Sequence, residues 1–481
     1  MTGAHTTGSH RHEGRLTITT DHVGEQPIYF TMVASRWECA SSIEDLLALR
    51  ATPPEADPEH VARMLTGNQV LSTATPYGGI RVALPGTVTE LTDGYSRPRV
   101  TQWWIPPQPD EQWARASDAD LAHGFRSALD AAVKSRVSET TGLELSGGLD
   151  SSSLAVLASQ FSRGLPSFFW DSEDSTYSAM EAPYIAAVAD AASLRHSTSR
   201  HTSDEVVLQA NPLRRHWPLR PQGSRQSMFQ EAAEQGLTTL ISGWGGDQCA
   251  SFTGGQSVIA HLLSRRWQAA GDRLRECLPS PRGTLRRLGS PVGHRMLAYS
   301  DAATLARICA GGPLRSRVVY RLTLQARPFT PGPEAQRRWH LFNGHLQPRM
   351  QLDQWLARRH GLSYSYPLLD RQLLEWCLKV PAARWWQSGR PRQLFREAVS
   401  DLLPEPSLQR DVKLLDVGER EPGQTRLVAT QAIGRNAASP AVRHWLPGLA
   451  TADLSRLSPG TLLDLHRTTA WIRAAMDEDT Q

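Results

Sequence analysis

Hydrophobic and polar positions alternate with a two-residue period in the first part of the chain, a pattern typical of half-buried β-strands. Strands are predicted at 15–19, 26–30, 78–82 and 86–88. Short helices are predicted at 42–50 and after Pro58. Three prolines within residues 106–109 then suppress both helix and sheet. We therefore predict a smaller β-rich domain over residues 1–112 and a second domain over residues 113–481.

The second part of the chain alternates amphipathic helices with short apolar strands. Strands are predicted at 142–145, 167–170 and 237–242, and helices at 125–137, 151–160 and 181–192. This alternation predicts an α/β fold, a parallel sheet with helices on both faces. Beyond Ile259 the pattern is mostly helical and rich in arginine. Within that region, residues 265–287 are expected to form a solvated helix face, or alternatively to help bind a peptide.

Composition and charge exclude several classes of protein. A chain of 481 residues with 40% hydrophobic and 21% charged residues is long enough for two globular domains. It contains no run of about 18 apolar residues, so no membrane span is predicted. Residues 1–13 lack the apolar core of a signal peptide, so a cytoplasmic location is expected. The net charge of +4 is modest and dispersed, and no nucleic-acid partner is implied.

Two residue types are used unusually. The five cysteines are scattered without close spacing, which favours reduced thiols over disulfides or a zinc site. Only three of the 52 basic residues are lysines, namely Lys134, Lys379 and Lys413. Where arginine is used so consistently, a lysine indicates a position that requires a compact ammonium group.

The most specific motif is the segment 143–152, in which an apolar strand leads into Ser146, Gly147 and Gly148 and then a helix that begins near Asp150. Adjacent glycines let the backbone approach an anion, and the helix N-terminus adds partial positive charge. A Gly-Gly turn alone is usually only a tight turn. Here the strand, the serines and the aspartate occur together, which predicts a phosphate-binding loop. Because no lysine follows the glycines, this loop differs from the common mononucleotide-binding loop.

Three later segments have related patterns. Residues 239–247 form an apolar strand followed by Ser-Gly-Trp-Gly-Gly-Asp, residues 366–370 read Tyr-Pro-Leu-Leu-Asp, and residues 394–404 form a helix that ends in Leu-Pro. Together with the first motif, over roughly residues 118–418, they resemble the asparagine synthetase family. The resemblance implies an ATP pyrophosphatase domain that activates a carboxylate as an acyl-adenylate, and therefore a ligase that uses ATP and Mg²⁺.

The resemblance also implies roles for individual residues. Asp150 and Asp247 would hold Mg²⁺, since carboxylates neutralise through the metal the charge that develops at phosphorus; each could alternatively be a helix cap. Lys413 would contact the α-phosphate, whereas Lys134 and Lys379 are expected at the surface. Trp244 and Asp370 would face the substrate. The nucleotide-binding set is Leu145, Ser146, Gly147, Gly148, Asp150, Ser151, Trp170, Ser242 and Gly243.

The chain departs from asparagine synthetase at two places. The nucleophile of that family's glutaminase domain is a cysteine directly after the initiator Met, but here Thr2 follows Met1 and the first cysteine is Cys39. Residues 21–29 resemble only the later half of that domain. A truncated, inactive glutaminase-like domain is therefore expected. At the second motif, Trp244 replaces an acidic residue and Gln248 replaces a Glu, which favours an acceptor larger than ammonia.

These departures most resemble the lasso peptide cyclases, which join the N-terminal amine of a precursor peptide to an Asp or Glu side chain. The resemblance implies the precursor (core) peptide as substrate, with a leader-binding protein and a leader peptidase as further candidate partners. An asparagine synthetase and a β-lactam-synthetase-like ligase remain alternatives, although the latter carries Tyr where this chain has Trp244. A catalytically silent peptide-binding scaffold is the alternative that is not an enzyme.

Overall fold

The structure is a computed structural model that describes residues 7–50, 55–68, 71–172, 176–201, 223–252, 262, 267, 271, 290–326, 333–387, 390–410 and 422–476.

Two antiparallel sheets make up the first part of the chain. The strands are β1 (Gly8–His12), β2 (Arg15–Thr19), β3 (Tyr29–Val33), β4 (Arg36–Ala40), β5 (Ile80–Val82), β6 (Thr87–Thr92) and β7 (Arg99–Gln102). They form the orders β1-β2-β6-β7 and β4-β3-β5. The predicted β-rich region is confirmed.

The core of this region follows from the alternation along its strands. In β2, Leu16 and Ile18 are buried while their neighbours are more exposed, as the two-residue period predicts. The predicted strand at 26–30 begins instead at Tyr29, because Pro27 lacks a backbone N–H for a sheet. The two predicted helices are α1 (Ile43–Ala48), capped by Ser42, and α2 (Pro58–Thr66), capped by Asp57.

The larger part of the chain is built on a five-stranded parallel sheet. Its strands are β8 (Thr141–Glu144), β9 (Pro166–Ser172), β10 (Arg195–His201), β11 (Thr239–Ile241) and β12 (Ser363–Ser365), in the order β10-β9-β8-β11-β12. All four neighbouring pairs are parallel. A short antiparallel pair follows, β13 (Trp386–Gln387) and β14 (Arg390–Pro391). The predicted α/β fold is confirmed.

Helices surround this sheet and continue to the end of the described chain. They are α3 (Glu111–Arg115), α4 (Asp118–Lys134), α5 (Leu149–Phe161), α6 (Thr176–Ala191), α7 (Gly223–Glu234), α8 (Ser290–Ile308), α9 (Ser316–Gln325), α10 (Pro333–Phe342), α11 (Leu346–Arg358), α12 (Arg371–Lys379), α13 (Gln393–Ala398), α14 (Glu405–Gln409), α15 (Pro422–Asn436), α16 (Pro440–Trp445) and α17 (Pro459–Met476). Within the described ranges, no helix is long and apolar enough to cross a membrane.

Two strands of the parallel sheet were not predicted. β10 has the polar sequence Arg-His-Ser-Thr-Ser-Arg-His, and it lies at one edge of the sheet. β12 has only three residues and lies at the other edge. Apolar patterning reveals central strands, which are buried on both faces, and it is weak at edges. Most of the predicted segment 265–287 lies outside the described residues.

The first part of the chain contacts the second through the loop at residues 21–26. The Asp21 carboxylate accepts hydrogen bonds from the N–H groups of Val23, Glu25 and Gln26 at 2.9–3.2 Å, which fixes this loop. His22 Nε2 donates to the carbonyl of Leu369 at 2.7 Å. Leu369 belongs to the predicted motif at residues 366–370. The loop therefore supports residues that follow β12.

Glu25 gives this contact a pH dependence. Burial raises its pKa from 4.5 to about 7, against the opposing effects of Arg136 and the Tyr366 N–H. Between these values the folded protein holds a proton that the unfolded chain has released, so stability is lost as pH rises through about 7. We expect Glu25→Gln to be more stable than the wild type at pH 8, by up to about 3 kcal/mol, and to differ little near pH 5.

Urea unfolding of the two proteins from pH 5 to 8 measures this difference. The exposed Glu139→Gln variant on the larger domain is the matched control. A stability difference between Glu25→Gln and wild type that stays constant over this range would contradict the expectation.

Helix α2 is held by the other end of the chain. Its buried residues Val61 and Leu65 share a core with Leu462 and Leu465 of α17, which lie close to the C-terminus. Asn68, just after α2, donates from its side-chain amide to the carbonyl of Leu322 at 2.7 Å. Helix α2 therefore packs against helices from the later part of the chain. Of the cysteines, Cys39, Cys249, Cys309 and Cys377 are free thiols within the described residues.

Candidate active site

The predicted phosphate-binding loop lies at the carboxyl end of β8, between β9 and β11. Gly147 has a φ of +67°, and a Cβ at this position would lie 3.0 Å from Cβ of Tyr184 and 3.1 Å from Oε2 of Glu181. Only glycine therefore fits here. Gly148 is the N-cap of α5 and places no side chain over the helix end. The first N–H groups of α5 lack intrahelical partners, and a helix end of this kind suits an anion.

The serines of this loop hold one another in place. The Ser146 N–H donates to Oγ of Ser151 at 3.2 Å, and the two hydroxyl oxygens are 3.1 Å apart. Ser151 Oγ also donates to the carbonyl of Gly148 at 3.3 Å. These bonds connect the turn to the first residues of α5, so the conformation of the loop is preorganised for a ligand.

The second glycine motif packs directly against the first. A Cβ on Gly243 would lie 3.0 Å from the Ser151 nitrogen, and a Cβ on Gly246 would lie 2.7 Å from Oδ2 of Asp150. Side chains at these glycines would separate the two loops. Because β8 and β11 are adjacent parallel strands, Asp150 and Asp247 follow carboxyl ends at the same edge of the sheet. The sequence places these residues 97 positions apart, and the fold brings their segments together.

Asp247 is paired with a residue that sequence reasoning missed. Its side chain is 61% exposed, and its carboxylate forms an ion pair with Arg392. Arg392 has a φ of +59° at the N-cap of α13, so its position depends on an uncommon backbone conformation. No pattern around residue 392 distinguished this arginine from the many others in the chain.

The two carboxylates fit a magnesium ion. Mg²⁺ in nucleotide sites is held by one or two carboxylates together with substrate phosphates, rather than by a complete set of protein ligands. The described residues contain no cluster of three or more His, Cys, Asp or Glu side chains suited to a metal. Asp150 and Asp247 therefore supply the kind of oxygen donors that such a site requires.

A buried charge network contacts Trp170, one of the predicted nucleotide-binding residues. The fully buried Arg225 pairs with Glu144 at 2.8 Å and with Asp353, and its guanidinium lies 5.2 Å from the ring centroid of Trp170. Burial alone would raise the pKa of Glu144, but Arg225 together with hydrogen bonds from Ser242 and Tyr364 lowers this pKa to about 2. The network thus fixes Trp170 and the end of β8 through charge.

Two of the predicted nucleotide-binding residues, Leu145 and Ser242, are held in place by hydrogen bonds to neighbouring strands or the residues at their ends. Leu145 is buried, and its N–H donates to the Phe168 carbonyl at 2.9 Å. The Ser242 N–H donates to the carbonyl of Ser365 at 3.0 Å, and Ser242 Oγ accepts from the N–H of Trp244 at 3.3 Å. Leu145 and Ser242 therefore continue two neighbouring strands toward the glycine motifs.

Trp244 lies in a cationic environment. Its ring meets His345 edge to face at 5.9 Å, and the guanidinium of Arg349 lies 5.3 Å from its centroid. Arg349 in turn pairs with the buried Asp353 at 2.9 Å. Through Asp353, Trp244 is linked to the same network that contacts Trp170.

Asp370 has a structural role in this fold. One carboxylate oxygen accepts from the N–H groups of Gln372 and Leu373 at 2.9 and 3.3 Å, which caps α12. The other oxygen pairs with Arg136 at 2.9 Å. Both oxygens are therefore engaged, and the preceding residue, Leu369, is the one that packs against Gly245 of the second motif.

Lys413 lies outside the described residues, but the chain that leads to it is fixed on the phosphate-binding loop. Arg410 pairs with the buried Glu181 at 2.5 and 2.7 Å and donates to the Gly147 carbonyl at 3.3 Å. Its guanidinium also stacks 4.2 Å from the ring centroid of Tyr184. Arg410 was another residue that sequence reasoning missed, although it stands only three positions before Lys413.

Comparison with known families agrees with this geometry. A family model described as asparagine synthase matches residues 124–433, a range that contains both glycine motifs, Asp370, Arg392 and Arg410. This chain belongs to the asparagine synthase family. It is therefore an ATP-dependent carbon–nitrogen ligase that forms AMP. A second model, described as a glutamine amidotransferase domain, matches residues 8–104, where Cys39 lies within β4. No curated protein matches the chain.

Proposed function

We propose that this asparagine synthase family ligase closes a macrolactam ring in a precursor peptide, as the lasso peptide cyclases do. The observation that carries the proposal is Trp244, which stands where the family has an acidic residue. An indole cannot hold an ammonium ion through a carboxylate or accept its proton, but it offers a flat apolar surface to a larger acceptor.

In the first step, an Asp or Glu carboxylate of the peptide attacks the α-phosphorus of ATP, and pyrophosphate leaves. The turn at Ser146, Gly147 and Gly148 would bind the departing pyrophosphate through backbone N–H groups. Asp150 and Asp247 would hold Mg²⁺, which when bound neutralises phosphate charge. Leu145, Trp170, Ser242 and Gly243 would line the nucleotide pocket.

In the second step, the N-terminal amine of the same peptide attacks the activated carbonyl carbon, the C–N bond forms, and AMP leaves with one proton lost from nitrogen. The amine must be neutral to react. Trp244 itself offers no carboxylate that would hold the amine as an ammonium ion, and Arg349 beside it is already paired with Asp353.

The proposal also implies proteins that act before this ligase. A peptide with a leader sequence needs a peptidase to expose its amine, and a leader-binding protein could deliver it. We propose both as partners of this chain, with the precursor peptide as its substrate.

A peptide library tests the reaction directly. Synthetic peptides with a free N-terminal amine and a single Asp or Glu at varied positions are incubated with ATP and Mg²⁺. We expect AMP release together with a product that has lost one water, and matched N-acetylated peptides should give no ring. Aspartate with and without ammonium is the competing substrate pair. Asparagine formation without any peptide product would reject the cyclase, and tight peptide binding without pyrophosphate release would identify a silent scaffold.

A further inference from the structure

A cavity of about 220 Å³ lies between the first part of the chain and the ligase domain. The first part of the chain contributes the loop containing Gln26, and α2 with the segment that follows it. The rest of the lining comes from α11, the turn before it, and α17. Trp244 forms part of the wall. The cavity is therefore lined both by the glutaminase-like region and by Trp244, a candidate substrate-binding residue.

This cavity lies next to the candidate nucleotide site. Trp244 directly follows Gly243, and a Cβ on Gly243 would lie only 3.0 Å from the nitrogen of Ser151. Arg349, which also lines the cavity, stacks over the Trp244 ring. One end of a molecule bound in the cavity would therefore lie close to the residues proposed to bind ATP.

The lining suits a peptide better than a small amine. Both parts of the chain contribute apolar residues to the lining, namely Met64, Leu71, Val82, Leu84 and Leu352. The volume is many times what one water or ammonia molecule needs. Ammonia would gain nothing from apolar walls, whereas peptide side chains would be stabilised by burial.

Two buried polar atoms add a preference for a peptide backbone. Nε1 of Trp244 and Oε1 of Gln347 have no hydrogen-bond partner among the described residues, and both side chains line the cavity. One is a donor and the other an acceptor, which matches the carbonyl and the N–H of a peptide unit. Leaving such a group unpaired costs about 1–3 kcal/mol, which a hydrogen bond to a bound peptide would offset.

We propose that this cavity binds the N-terminal segment of the peptide substrate, and that the glutaminase-like region serves as one wall of the peptide site. The assignment rests on the proposed cyclase function. The amine-bearing end passes between α2 and α11 to Trp244, where the acyl-adenylate forms beside Asp150. The region that resembles a glutaminase thus takes part in acceptor binding.

Two substitutions that fill the cavity test this assignment. We expect Leu71→Trp and Met64→Trp each to raise the KM for the most active library peptide by about tenfold or more, with the KM for ATP unchanged. Leu49→Trp, at an exposed leucine outside the cavity, is the matched control and should leave both constants unchanged. Thermal unfolding of each variant shows whether the fold is retained.

Crosslinking of the wild-type protein provides a measurement that does not depend on folding of the variants. The same peptide, with a photoreactive leucine as its second residue, should form adducts within residues 60–72, 82–85 or 344–352. Adducts elsewhere, or an unchanged peptide KM in both folded variants, would overturn the cavity assignment while leaving the cyclase proposal intact. Failure of the wild type to turn over any library peptide would instead remove the cyclase proposal, and this inference with it.

Discussion

Asp150→Asn and Asp247→Asn should each lower AMP formation by at least about a hundredfold to a thousandfold, because each removes a charge from the proposed metal site. The helix-cap alternative for Asp150 is wrong, because Gly148 is the N-cap of α5 and Asp150 lies within the first turn, so the loss of a cap would not explain the effect. AMP release with ATP, Mg²⁺ and the most active peptide measures the effect. Raising the Mg²⁺ concentration should partly restore activity if the loss is one of metal affinity.

Two controls separate metal binding from other causes. Asp190→Asn replaces an exposed aspartate on α6 and should leave the rate unchanged. Arg392→Gln removes the ion pair of Asp247 without removing the carboxylate. Arg392→Gln could lower AMP formation as much as Asp247→Asn does, with the same dependence on Mg²⁺ concentration. That result would show that Asp247 acts through Arg392 rather than by binding the metal. Wild-type rates in either Asp variant would end the assignment for that residue.

Lys413→Ala should slow adenylation by several orders of magnitude while leaving ATP affinity nearly unchanged. A cation that contacts the α-phosphate stabilises charge that develops in the transition state, an effect of several kcal/mol. Arg410, three positions earlier in the sequence, contacts the carbonyl of Gly147 in the phosphate-binding loop.

Single-turnover AMP formation and equilibrium ATP binding measure the two quantities separately. Lys413→Arg keeps the charge, but a planar guanidinium replaces a compact ammonium, so we expect only partial activity. Lys134→Ala and Lys379→Ala change the two other lysines, both exposed, and should not alter either quantity. Equal losses in ATP affinity and rate would show that Lys413 binds the ground state instead.

The network around Arg225 shows how the candidate site depends on distant parts of the sequence. Burial opposes the charge of Arg225, but Asp353, Tyr364 and Glu144 raise its pKa well above the ordinary value, so the cation is retained. Loss of one partner from such a buried pair costs about 3–5 kcal/mol. The geometry of Trp170 and Trp244 is therefore maintained by residues with no role in the chemistry.

The sequence by itself determined the α/β fold, the glycine turn before α5 and the second motif after β11, because strand, turn and helix signals there are local and lie next to one another. It did not reveal the edge strands β10 and β12, since edge strands need little apolar patterning. Only the tertiary structure paired Arg392 with Asp247, linked Arg225 to Glu144 and Asp353, and placed Trp244 on a cavity with walls from both ends of the chain. Such contacts join residues far apart in sequence, and the order of strands and the packing of helices decide them rather than any local pattern.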